Sequence, residues 1–127
     1  MPLVRIDLRK GKPSAYKKAI GDGIYRAMRE TFTVPEEDRF MVVTEHEEDG
    51  FFFSKSYFNI DRTDDLVIIQ ITVTNSRNVD QKKALFARVV EVLAEQPGVR
   101  PQDVFINLLE VNKENWSFGQ GFAQYVT

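Results

Sequence analysis

Pro2-Leu3-Val4-Arg5-Ile6-Asp7-Leu8 alternates apolar and polar side chains with the period of a half-buried strand. Val67-Ile68-Ile69-Gln70-Ile71-Thr72-Val73 repeats the pattern 65 residues later, so that Val4, Ile6 and Leu8 coincide with Ile69, Ile71 and Val73. The coincidence continues at that one offset without a gap. Lys17-Lys18-Ala19 falls on Lys82-Lys83-Ala84, Ile20 on Leu85, Ile24 on Val89 and Met28 on Leu93. Val34 falls on Val99, Asp38 on Asp103, Phe40 on Phe105 and Glu45 on Glu110. Such a set at a single offset marks a duplicated module.

Each copy has the same anatomy. A period-two strand leads through a polar loop (Arg9 to Pro13, or Thr74 to Asn78) into an amphipathic helix and then a closing strand. The first helix is predicted from Ser14 to Glu30, with Tyr16, Ile20, Gly23, Ile24, Ala27 and Met28 on one stripe. The second runs from Val79 to Glu95, with Ala84, Leu85, Val89, Val92 and Leu93 as its stripe, and Pro97-Gly98 stops it. Closing strands follow at Arg39 to Thr44 and Val104 to Glu110. A strand, a crossover helix and a strand form a βαβ unit with parallel strands. Two such units predict an α/β (α+β) fold, a four-stranded sheet with both helices on one face. The expected organisation is one domain over 1–127, with internal repeat units at 2–50 and 66–115 and a C-terminal flap at 116–127.

A chain of 127 residues is long enough for one buried core. A net charge of −2, with Lys and Arg scattered, points away from nucleic acid as a partner. No apolar run reaches the roughly 18 residues of a membrane span, and Arg5, Asp7, Arg9 and Lys10 interrupt any signal-like segment. There is no cysteine and a single histidine, His46, so neither a disulfide framework nor a usual metal site is expected. The expectation is a cytoplasmic protein working with no cofactor and no metal.

Leu3, Val42, Val67, Ile68 and Leu108 make the strands apolar on both sides. A sheet covered by helices on one face would then have to cover its other face with another copy of the chain. Between the repeats, Glu47-Glu48-Asp49-Gly50 reads as a turn, Phe51-Phe52-Phe53 as a short edge strand and Ser54 to Asp65 as a loop. Exposed phenylalanines on an edge need a cover, and a neighbouring subunit is the simplest one.

Met1 precedes a small residue, so aminopeptidase removal is expected to leave Pro2 as the N-terminus. Proline then supplies a secondary amine in a rigid ring. Its nitrogen acts as a base when neutral, as an acid or carbonyl-polarising cation when protonated, or as an iminium-forming nucleophile. An α-amine titrates near pH 8, and apolar walls or a nearby cation lower that value.

A duplicated βαβ unit opening on such a proline resembles the tautomerase superfamily, and within it the malonate semialdehyde decarboxylase group. The segments carrying the resemblance are Pro2 to Leu8, Val34-Pro35-Glu36-Glu37-Asp38-Arg39-Phe40, Arg77 with Gln81-Lys82, and Asn115-Trp116-Ser117-Phe118-Gly119-Gln120-Gly121. The resemblance implies a homotrimer of a fused two-unit fold and a small 2-oxo or 3-oxo acid as substrate. It makes Pro2 the catalytic proline and Arg77 a binder of the substrate carboxylate. Asp38 matches a carboxylate that activates water or assists the proline; a structural capping role is the alternative, which Asp103 at the repeated position favours. Asn75 stands where the best-known decarboxylase of the group has a second arginine, which weakens the carboxylate clamp. Trp116, Phe118 and Tyr125 resemble the hydrophobic wall of the family pocket. Lys12, the repeat counterpart of Arg77, is a further candidate for an anion contact.

These implications lead to keto–enol tautomerisation of 2-oxo acids as the expected activity. Decarboxylation or hydration of a 3-oxo acid is the alternative. A trimeric binding protein without chemistry is a third.

Overall fold

The computed structural model describes residues 1–126. Strands β1 (Pro2–Arg9) and β3 (Val67–Thr74) run antiparallel at the centre of a four-stranded sheet. Their register pairs Pro2 with Val73 and Ile6 with Ile69. Each central strand carries its own parallel partner outside it, β2 (Met41–His46) on β1 and β4 (Val104–Val111) on β3. The order is β2-β1-β3-β4, which joins two βαβ units along their first strands. Helices α1 (Ser14–Phe32) and α2 (Val79–Glu95) cross back between the strands of their own units.

The period-two pattern decides which face the helices cover. Val4, Ile6 and Leu8 of β1 and Val67, Ile69, Ile71 and Val73 of β3 are buried together with Ile20, Ile24, Met28, Leu85, Val89 and Leu93 of the helices. Full burial of each such side chain contributes about 1.5–3 kcal/mol, so this layer is the main source of stability. The helices meet where Gly23 faces α2. A Cβ added there would lie 2.9 Å from Leu93 Cδ2 and 3.3 Å from Val92 Cγ2, so any larger residue would force those side chains to shift.

Helix ends follow local chemistry. Asn78 and Gln81 form a reciprocal capping box at the start of α2. The amides of Gly98 and Val99 both donate to Leu93 O and close its other end. Helix α1 runs two residues beyond the predicted Glu30, because Phe32 is buried and the Thr31 hydroxyl donates to Ala27 O. Thr33, at φ 55°, then breaks it in the left-handed region.

The predicted edge strand at Phe51-Phe52-Phe53 does not form. The stretch leaves a single turn at Glu48–Gly50 and forms no ladder. Phe51 is buried and stacks on His46 at 5.6 Å, and His46 in turn bonds Asp7 at 2.6 Å. Packing of one ring on one edge residue, with Phe52 left 83% exposed, decides this segment's place.

The face of the sheet away from the helices is mixed. Val42, Phe105 and Leu109 are exposed on it, and Leu3 and Ile68 are half-exposed. Val67 and Leu108 turn instead toward the helices. No helix among the described residues is long and apolar enough to cross a membrane. After β4 a single turn at Lys113–Asn115 leads into a segment, 116–126, without regular structure. Thr127, the last residue of the expected flap, lies outside the described residues.

Candidate active site

The start of β1, the end of α1, the turn before β2 and the turn into α2 meet at one end of the sheet. Pro2 is buried there as the first residue of β1. The turn Pro35 to Asp38, closed by the Asp38 amide on Pro35 O at 3.1 Å, delivers Asp38 beside it. One carboxylate oxygen of Asp38 lies 3.7 Å from the Met1 amine, too far for a hydrogen bond but close enough for strong coupling. The other, Oδ1, is buried with no hydrogen-bond partner.

Burial and charge act on this pair in a consistent way. The Met1 amine is held below its ordinary value first by burial and further by Arg77, against the opposing pull of Asp38. Asp38 is pushed above the ordinary carboxylate value, again first by burial, with the amine and Arg77 opposing. Desolvation thus outweighs mutual attraction on both sides, and both groups are driven toward their neutral forms.

Arg77 reaches the same end from the turn after β3. Its guanidinium donates Nη2–H to Phe32 O at 2.9 Å and lies 4.9 Å over the Phe32 ring. This fixes a half-buried cation while leaving donors free for an anion. Its charge is felt at Met1, Asp38 and Tyr125 alike. The neighbouring Arg39 is spent elsewhere, on Asp22 at 2.6 Å and over the Tyr25 ring.

Three aromatic side chains complete the surroundings. Trp116 stacks on Phe118 at 5.6 Å, and Phe118 meets Tyr125 edge-on at 4.9 Å. The pKa of the Tyr125 hydroxyl is raised by burial first and by Asp38 second, with Arg77 opposing. Pro2, Asp38, Arg77, Trp116, Phe118 and Tyr125 are therefore brought to one end of the molecule. Asn75 sits two residues before Arg77, exposed, with its backbone amide on Val111 O at 2.8 Å.

Lys12 is not brought there. Its ammonium pairs with Asp65 at 2.9 Å and lies over Tyr16, at the end of β1 opposite Pro2. An eight-residue strand separates the two ends by about 23 Å, so Lys12 makes no second anion contact for Arg77. A depression of about 710 Å³ also opens at that far end, between Arg9, Glu47, Asp49, Phe53 and Lys55. Its carboxylates and cations are those of a solvated rim. Among the described residues no group of three or more His, Asp or Glu is placed to hold a metal ion.

Two supports of this site carry little sequence signal. Thr74, the buried last residue of β3, accepts the Trp116 Nε1–H at 3.0 Å. Phe32 supplies the carbonyl that orients Arg77. The first is one threonine in a strand, and the second is backbone at a helix end that the sequence places two residues too early.

Comparison with known proteins bears on the fold and the family. Two family profiles described as "Tautomerase enzyme" match, one over residues 38–119 and one over residues 2–59. The probable tautomerase YusQ of Bacillus subtilis (strain 168) is 39% identical over 126 residues, covering 99% of both chains. The crystal structure of the FG41 malonate semialdehyde decarboxylase inhibited by 3-bromopropiolate is 35% identical, covers 98% of this chain and 94% of that one, and superposes with a TM-score of 0.91. A fused 4-OT described as a symmetric trimer is 16% identical with a TM-score of 0.78, a likeness of fold alone. The chain belongs to the tautomerase family, with the fused two-unit fold of the malonate semialdehyde decarboxylases.

Proposed function

We propose that the chain is a Pro2-dependent tautomerase that moves a proton between oxygen and carbon of a small 2-oxo acid. The observation that carries this reading is the meeting of a buried chain start, a carboxylate with one unpartnered oxygen and a single half-buried arginine beside an aromatic wall. Removal of Met1 would hand its surroundings to the ring nitrogen of Pro2. In its neutral form that nitrogen takes the enol O–H proton of the substrate. The electron pair of the O–H bond becomes part of the new C=O bond, the C=C pair moves to carbon, and the protonated proline returns its proton there. Arg77 binds the carboxylate and polarises the adjacent oxygen, with Asn75 assisting by hydrogen bonding. Trp116, Phe118 and Tyr125 exclude water and keep the amine's proton affinity low. Asp38 opposes that lowering at the terminal amine.

A second reading has a specific observation in its favour. The 35% identity to a malonate semialdehyde decarboxylase extends over nearly the whole chain. In that chemistry Pro2 would stay protonated and polarise the carbonyl of a 3-oxo acid while carbon dioxide leaves. One cationic side chain in place of two, with burial and Arg77 both lowering the amine, favours the neutral base and hence the tautomerase. On either reading, units 2–50 and 66–115 carry the fold, 116–126 forms the flap, and copies of the chain cover the mixed sheet face as a homotrimer.

The test is an NMR titration of the Pro2 nitrogen in mature protein, run beside assays of enol-phenylpyruvate and malonate semialdehyde. A nitrogen titrating below about 8 with turnover of the enol is expected. Retention of Met1, shown by intact mass, would remove the secondary amine and end both enzymatic readings.

A further inference from the structure

The flap is a poor candidate for a wall on packing grounds. Residues 116–126 have no helix or strand of their own, Phe122 and Val126 are exposed, and Gly119, Gln120 and Gly121 all have positive φ, at 144°, 62° and 76°. Burial supplies little to hold such a loop closed. Its order comes from two side chains. Trp116 is pinned at the loop's entry by Thr74. Gln124 reaches back across the loop. Its Oε1 accepts the Phe118 amide at 3.0 Å and its Nε2 donates to Gly119 O at 2.9 Å. The one amide thus satisfies a backbone donor and a backbone acceptor on successive residues, as a neighbouring strand would. The contact draws 118 against 124 and seats Tyr125 on the edge of Phe118.

We propose that Gln124 is the positioning residue of the candidate site, a latch that turns the C-terminal loop into the aromatic wall facing Asp38 and Arg77. It touches neither of those groups and acts through Phe118 and Tyr125. This rests on the site reading above, since a wall matters only if substrate binds against it.

Trp116 is the chain's only tryptophan, so its fluorescence reports the wall directly. The experiment compares Gln124→Ala, Gln124→Glu and parent by enol-phenylpyruvate kinetics, acrylamide quenching and thermal denaturation. Loss of both bonds in Gln124→Ala should raise KM about tenfold and increase quenching of Trp116, with Tm close to the parent's. Gln124→Glu keeps the acceptor for the Phe118 amide but sets a carboxylate oxygen against Gly119 O, and should raise KM and quenching at least as much as Gln124→Ala. Parent-like KM and quenching in Gln124→Ala would overturn the latch, as would a raised KM with unchanged quenching. Pro2→Ala serves as the separate control. If it keeps the parent's kcat the site reading fails, and quenching of Trp116 alone then decides whether the latch exists, unchanged quenching overturning it.

Discussion

At the start of β1, Asp38 holds one oxygen 3.7 Å from an amine and leaves the other buried without a partner. At the start of β3, its repeat counterpart Asp103 gives both oxygens to Thr63, accepting the backbone amide at 2.7 Å and the hydroxyl at 2.6 Å, with Arg100 at 3.5 Å. The cations differ in the same sense. Arg77 meets no carboxylate, bonding the Phe32 carbonyl and lying over the Phe32 ring, whereas Lys12 is neutralised by Asp65. The loop that enters β3 supplies both Thr63 and Asp65, so that end is filled by the chain itself. The two aspartates at matching positions thus diverge, Asp103 into a satisfied structural joint and Asp38 into a site with one oxygen left open. Repetition places the residues; what the adjoining chain does with their hydrogen bonds decides their use.

The largest effect should separate the ends by activity. Pro2→Ala, which leaves a primary amine, should lower kcat/KM for enol-phenylpyruvate by about 10²–10⁴-fold while far-UV circular dichroism and Tm hold. Turnover equal to the parent's would erase the distinction. Asp103→Ala should do the reverse, losing about 2–4 kcal/mol in urea denaturation by orphaning two Thr63 donors, with activity per folded molecule retained.

Arg77→Ala comes next, raising KM by about ten- to a hundredfold, worth about 1.5–3 kcal/mol for a charged hydrogen-bond donor. Lys12→Ala should leave KM where it is; a matching rise would mean that both ends bind anions. The smallest effect sharpens the electrostatics. The reactive form of the amine is the neutral one, so kcat/KM rises with pH through its pKa, at an inflection below about 8. In the chain that keeps Met1, Asp38 raises and Arg77 lowers the pKa of the terminal amine. With Pro2 in that place, as proposed, Asp38→Asn should move the inflection to lower pH and Arg77→Ala should move it upward. Stability follows a separate sign. Asp38's folded pKa is raised, so the native state binds the extra proton just above the ordinary carboxylate range, and stability falls as pH rises through that window. Asp38→Asn should flatten this slope.

The architecture was legible because burial has a period. Val4, Ile6 and Leu8 and their counterparts could lie only on one face of a strand, and the helical stripes supplied the matching cover. The offset of 65 residues then fixed two equivalent units. Where periodicity was absent the reading failed, as at Phe51 to Phe53, whose place is set by the His46 ring and not by any ladder. Lys12 and Arg77 look equivalent along the chain, and only the ion pair with Asp65 separates them.

The amino-acid order by itself determined the two βαβ units, their helix-covered core and the types of residue gathered at each strand start, because these follow from local hydrophobic period and chain direction. Tertiary structure alone decided which aspartate is left without a partner, which cation is free, and how Thr74 and Gln124 hold an irregular segment against them. Hydrogen-bond satisfaction depends on groups far apart in the chain, 45 residues in the case of Arg77 and Phe32, and no local pattern encodes such a meeting.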